Sequence, residues 1–329
     1  MIIAICVAII LSLLIKNSNK KSNTLIYSIE RKVNLNPIVT KIVNFDKKYS
    51  VMKLVENNLF FVSWKEESDK RKIFKYSLQN YSFDKEINLS TKKDSILIDN
   101  YFIKKDSIII FNKIKKSIII LNKDLIKISE KKYPKQFSRA TNFGKNILIS
   151  GWNDKFEIYF EKLDLKNNSI AKVVFDDKYS TEYENTGITL DGFYYDNNNY
   201  YVNLPYSINR AFIFNNKFEN ISKLDLIYNK LDYAYRKSSK GDVFPDPNNL
   251  NPNLSGFLDK KNYFYILTDT STKFDNFNKC YIDIYNLLEN KYIKSIQIKD
   301  YLGSKPRHFV YRNNEFIVLY DKNLIFYKI

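Results

Sequence analysis

The 329-residue chain has a single histidine, His308, and it directly follows Arg307. One imidazole cannot build a histidine-rich metal centre, and any Ser-His-Asp relay would have to use this ring. Neither GxGxxG nor GxxxxGK followed by Ser or Thr occurs, so no loop is offered to a nucleotide phosphate. Carboxylates adjoin at Asp176-Asp177 and Glu66-Glu67, but neighbours on a strand face opposite sides, and these pairs read as solvated loop charge. Asp246, Asn248 and Asn249 carry oxygens that suit Ca²⁺, although their spacing matches no known ligand loop. The residues therefore nominate no catalytic group, no metal ligand and no cofactor. What remains is recognition chemistry: the cations Arg139, Arg236 and Arg307, the rings of Trp64, Trp152, Tyr233, Tyr235 and Phe274, and His308. Such groups suit the capture of a protein, peptide or glycan, or of an anionic ligand.

The elements that must hold these residues are β-strands. Hydrophobic residues make up 44% of the chain and aromatics 16%, which excludes a disordered polypeptide. Six times a short polar turn precedes an apolar run rich in β-branched and aromatic residues, and the runs start at Leu59, Ile108, Ile147, Tyr200, Tyr263 and Phe316. A second apolar run follows each after a loop, at Ile73, Ile118, Ile158, Phe212, Ile282 and Leu324. First strands precede the turns, as at Ile96-Leu97-Ile98 and Phe309-Val310-Tyr311. Fourth strands close most units, as at Ile87-Asn88-Leu89, Val173-Val174-Phe175 and Leu224-Asp225-Leu226. The spacings of 49, 39, 53, 63 and 53 residues bracket the period of a propeller blade, about 40 to 50. The expected fold is all-β: a six-bladed propeller of four-stranded antiparallel blades. The chain ends within the third strand of the last unit, so an N-terminal strand must supply the fourth, either Leu25-Ile26-Tyr27-Ser28-Ile29 or Ile38-Val39-Thr40-Lys41-Ile42-Val43. With only 7 Gly, the tight turns fall to Asn and Asp, as in Asn197-Asn198-Asn199 and Asn313-Asn314.

The strand-Asp-loop-strand rhythm is clearest in Tyr263-Phe264-Tyr265-Ile266-Leu267-Thr268-Asp269 followed by Tyr281-Ile282-Asp283-Ile284-Tyr285. It resembles the TolB-like and NHL-like six-bladed propellers of bacterial exported proteins, over roughly residues 25–329. The resemblance implies a propeller placed outside the cytoplasm; it carries over no functional residue, and the scarcity of turn glycines departs from the family pattern.

In such blades the loop between strands two and three shares a face with the loop entering the next blade. The long loops 229–254 and 270–279 then meet on one face, Trp64 and Trp152 point toward it from the ends of second strands, and Arg139, Arg307 and His308 enter first strands from it. This face is the expected ligand mouth. A propeller hydrolase or lyase acting on a carbohydrate or lactone, with carboxylates and His308 at the channel mouth, is the alternative.

Residues 1–15 are apolar except for Ser12, and residues 17–23 are polar. Fifteen helical residues rise about 22 Å, short of a full bilayer core, so residues 1–16 read as a signal or short membrane anchor, 17–23 as a linker and 24–329 as the propeller. Lys16, Lys20 and Lys21 follow the apolar run instead of preceding it, unlike an ordinary secretory signal. The expected location is a membrane-anchored or secreted one, at the bacterial periplasm or cell surface. The formal charge of +17 is concentrated in residues 1–134, which hold a net +13. There Lys takes the solvent side of alternating strands, as in Lys70-Arg71-Lys72-Ile73-Phe74-Lys75, which disfavours a nucleic-acid surface unless the chain stays in the cytoplasm. Cys280 stands alone in a strand, so no disulfide is expected in the body.

Overall fold

The computed structural model describes residues 31–35, 37–63, 72–88, 101–104, 107–112, 116–122, 126–133, 135, 137–144, 146–155, 157–167, 169–173, 190–206, 208–217, 219–227, 235–237, 243–245, 252–270 and 280–329. Strands β1 (Val33–Leu35) and β2 (Ile38–Asn44) open it. Blade 1 contains β3 (Tyr49–Val55), β4 (Asn58–Ser63), β5 (Lys72–Ser77) and β6 (Ser82–Asn88). Blade 2 contains β7 (Tyr101–Lys104), β8 (Ser107–Asn112), β9 (Ser117–Asn122) and β10 (Lys127–Lys132). Blade 3 contains β11 (Arg139–Phe143), β12 (Asn146–Trp152), β13 (Ile158–Asp164) and β14 (Ser169–Val173). Blade 4 contains β15 (Gly192–Asp196), β16 (Tyr200–Pro205), β17 (Arg210–Asn215) and β18 (Asn220–Asp225). A hairpin of β19 (Tyr235–Lys237) and β20 (Val243–Pro245) separates it from blade 5, made of β21 (Asn253–Leu258), β22 (Tyr263–Asp269), β23 (Cys280–Asn286) and β24 (Lys291–Ile298). Blade 6 holds β25 (His308–Arg312), β26 (Glu315–Leu319) and β27 (Asn323–Lys328), with β2 as its outermost strand.

This is a six-bladed propeller of antiparallel four-stranded blades, and its core is divided into six wedges. Leu59 and Phe61 of β4 pack toward blade 6, while Phe60 and Val62 pack toward blade 2. The same alternation sends Ile108 and Ile110 back to blade 1, and Ile109 and Phe111 on to blade 3. It repeats through blades 3, 4, 5 and 6, and Ile317 and Leu319 meet Phe61 and Tyr76 of blade 1. A middle strand buried on both faces must be apolar at every position, which is why these strands read as continuous runs in the sequence. Each fully buried Phe, Leu or Ile contributes roughly 1.5 to 3 kcal/mol, so each wedge is a substantial core of its own.

All six predicted second strands and all six third strands fall on β4, β8, β12, β16, β22, β26 and on β5, β9, β13, β17, β23, β27. Phe309-Val310-Tyr311 lies in β25, while Ile96-Leu97-Ile98 lies outside the described residues and the first strand of that blade is β7. Five of the nine described non-glycine residues with positive φ are Asn: Asn198, Asn262, Asn290, Asn313 and Asn314. The last two form the turn between β25 and β26, where both central residues need the left-handed region.

Of the two N-terminal candidates, Ile38 to Val43 lies in β2, antiparallel to β27. Leu25 to Ile29 and the apolar segment 1–15 lie outside the described residues. The sequence reading did not anticipate β1, which runs parallel to β24 and makes blade 5 five-stranded. It is fastened by Arg31, whose Nε donates to Asp283 Oδ1 at 3.0 Å and whose Nη2 donates to Oδ2 at 3.2 Å. Asp283 is fully buried and also accepts from Thr268 and Ser295, so the carboxylate is satisfied on all sides. Cys280 is a free, buried thiol in β23.

Candidate functional site

First strands neighbour one another from blade to blade, β3 beside β25, β25 beside β21 and β21 beside β15, and residues at or just before the starts of these four face one opening. Here lies a cavity of about 550 Å³. Ser50 and Val51 of β3, Phe193 of β15, Leu254 of β21, Asp269 of β22, residues 303–308 and Asp321 line it. Blades 1, 4, 5 and 6 thus contribute, and the loop from β24 to β25 forms one lip. That loop is held by reciprocal backbone hydrogen bonds between Tyr301 and Ser304, and turns through positive φ at Leu302 and Gly303.

The charges at this mouth neutralise one another. Lys305 Nζ donates to Asp269 Oδ2 at 2.6 Å, and the Arg307 guanidinium donates through Nε to Asp321. Lys48 adds a second cation 3.6 Å from Asp321. The walls between these pairs are apolar: Val51, Phe193, Leu254 and Pro306. Asp269 and Asp321 stand in the mouth beside the cations, so its charge is mixed.

His308 opens β25, opposite Leu319, and lines the cavity. Burial pushes its pKa down to about 4, and the nearby positive charge of Lys53 adds to the shift. The ring is neutral at physiological pH, and its Nδ1 is buried without a hydrogen-bond partner. Among the described residues no hydrogen bond or ion pair is found between the ring and Asp269 or Asp321, whose partners are Lys305 and Arg307. Among the described residues, no group of three or more His, Cys, Asp or Glu could hold a metal ion.

Arg139 joins the mouth indirectly. Its Nη2 donates to the Tyr206 hydroxyl at 2.6 Å, and its Nε lies 3.5 Å from Asp191, which also accepts from Ser138. The Tyr206 ring meets Phe193 edge-on at 4.7 Å, linking the guanidinium to the cavity wall. The structure thus places Arg307 and His308 in the cavity lining, with Arg139 behind its wall through Tyr206 and Phe193. Trp152 ends β12 on the same face, half-buried and paired with Ile158, but it does not line the cavity. Arg236 is exposed on β19, and Tyr235 pairs with Pro245 across the hairpin. Trp64, Tyr233 and Phe274 lie outside the described residues, as do most of the 229–254 loop and residues 271–279.

Sequence reasoning missed Ser50, Phe193, Asp269, Lys305 and Asp321, which lie apart in the chain and meet only in the folded ring.

No family model and no curated protein matches the chain. Solved structures do. A member of the DUF4221 family from Bacteroides vulgatus aligns over 92% of this chain and 98% of its own, at 11% identity and a TM-score of 0.59. The β-propeller domain of Cps50 (Swd1) from Myceliophteria thermophila aligns over 89% of this chain and 100% of its own, at 8% identity and a TM-score of 0.50. At these identities the likeness defines the fold class alone, a propeller compatible with binding or protein interaction, since one fold hosts many functions.

Proposed function

We propose that this chain is a non-catalytic binding or interaction propeller, working outside the cytoplasm of a bacterium and capturing a protein, peptide or glycan at the mouth formed by blades 1, 4, 5 and 6. The observation that carries this reading is a cavity of about 550 Å³ with apolar walls and internally paired charges, beside an imidazole that no hydrogen bond or ion pair joins to Asp269 or Asp321 among the described residues. Binding needs shape and a few polar anchors, whereas hydrolysis or elimination needs an acid and a base in mutual reach. The loops 229–254 and 270–279 frame the ligand face in this reading, with Arg139, Trp152, Arg236 and Arg307 as contacts. The apolar segment 1–16 forms a short helix that delivers or tethers the body through the linker 17–23, and β2 is the strand that closes the ring. Kinship with the TolB-like or NHL-like propellers belongs to the same proposal.

One experiment tests both face and place. Cysteine variants Trp152→Cys, Arg307→Cys and Asn314→Cys are treated in intact spheroplasts with a membrane-impermeant bifunctional maleimide. Asn314 sits in the turn of β25 and β26, on the opposite face. Partner adducts are expected from the first two positions and not from the third. Equal adducts from Asn314→Cys overturn the face, and labelling only after lysis overturns the extracytoplasmic location.

A further inference from the structure

We propose that the cavity at the mouth is a binding site for a small zwitterion with an apolar side chain, a free amino acid or a short peptide with both ends charged. The inference rests on the binding reading, since it names what the same opening holds, but it concerns a ligand that fits inside the cavity and not a partner on the rim.

Two ion pairs stand in the cavity lining, one on each side of Pro306: Lys305 with Asp269, and Arg307 with Asp321. All four side chains are partly buried, and their backbones are pinned. The Asp269 N–H donates to the Pro252 carbonyl at 2.8 Å, the Arg307 N–H to the Leu319 carbonyl at 2.8 Å, and the Asp321 N–H to Ser304 Oγ at 3.1 Å. Charges of both signs are thus set in place before any ligand arrives, which lowers the ordering cost of binding.

The charges of the lining select those of the ligand. Lys305 and Arg307 supply two positive charges and Asp269 and Asp321 two negative ones, so a ligand of a single sign meets repulsion beside its attraction. A ligand with neither charge displaces water from the ammonium, the guanidinium and the carboxylates and gives no strong donor or acceptor in return. A zwitterion answers both signs. Its carboxylate accepts from Arg307, whose planar fork suits it, and its ammonium donates to a carboxylate of the wall. Between the pairs, Val51, Phe193, Leu254 and Pro306 receive an apolar side chain. The volume of about 550 Å³ falls among sites that enclose small molecules, roughly 300 to 1,000 Å³.

The chain has one histidine and it lines the cavity, so its imidazole signals in NMR spectra of the full chain report on this site. Leucine, N-acetylleucine, leucinamide and N-acetylleucinamide share one side chain and present a zwitterion, an anion, a cation and a neutral molecule at pH ~6.5. Leucyl-leucine is titrated beside them, and the tighter of the two zwitterions tells an amino-acid site from a peptide site. The proposal expects a zwitterion to shift the His308 signals saturably and the three blocked compounds to bind roughly tenfold or more weaker. In Arg307→Gln the advantage of the zwitterion over leucinamide should vanish. Should that variant fail to fold, the ligand series on the unaltered protein decides alone. N-acetylleucine or leucinamide binding as tightly as the zwitterions, or all compounds binding alike, overturns the ligand class. No saturable shift with either zwitterion overturns the site. Each of these failures leaves the surface reading standing, because partner adducts at Trp152 and Arg307 are measured separately.

Discussion

His308 is where the folded state holds a titrating group far from its ordinary range, and the sign of the effect can be worked out. Its pKa falls from 6.5 to about 4 on folding, so between those values the unfolded chain binds more protons than the folded one. Stability is complete above the upper value and is lost as pH drops toward the lower, by about 3 kcal/mol at most. Urea midpoints measured across this window should fall for the unaltered protein and fall less for His308→Gln. Identical slopes in the two proteins would refute the assignment. None of this could be read from the sequence, where His308 was only a lone imidazole beside Arg307. The pairing of Arg307 with Asp321, and of Lys305 with Asp269, joins positions 14 and 36 residues apart through the closing of blades, and nothing in local spacing announces it. The arginines were visible as candidates because they enter predicted first strands; their carboxylate partners were not, because Asp is ordinary in any loop.

Among the elements, the middle strands were legible and the inner and outermost ones much less so, for one physical reason. Strands such as β8 and β22 are buried almost throughout between two neighbouring blades and read as apolar runs. Inner strands border the central cavity at their starts, and β3 and β15 mix buried and half-buried positions and lose the signal. β1 is three residues long, too short for any periodicity, and its place depends on Arg31, which sits outside it. The Arg31 fork onto Asp283 predicts an asymmetric result. Arg31→Ala strands a buried carboxylate and should lower stability by about 3 to 5 kcal/mol, whereas the double change Arg31→Met with Asp283→Leu should recover much of that loss. Denaturation midpoints of the single and double variants provide the check; equal losses would mean that the carboxylate tolerates its burial without the cation.

For the molecule as a whole, the ring has no single core, so its integrity depends on all six wedges being occupied. The wedge between blades 6 and 1 includes Phe45 and is packed by Val43 of β2, while β2 also covers β27 by pairing from Ile38 to Asn44. A variant starting at Phe45 leaves blade 6 with three strands and should melt about 10 °C lower or more, with loss of a single cooperative transition. A melt superimposable on that of the full chain would mean that the N-terminal strands are ornaments. The parallel strand β1 also has a mechanical meaning. If the protein hangs from its N-terminal end, any pull enters at Arg31 and runs along the axis of β1, whose backbone is held to β24 through the bond from Ser295 N–H to the Lys32 carbonyl and the register of Val33 with Ser295. Force in that direction loads the ladder and the Arg31 fork together, in shear, instead of peeling one bond after another. Blade 5 would then carry the weight of the tether as a strap does, and the seam between β2 and β27 would feel little of it.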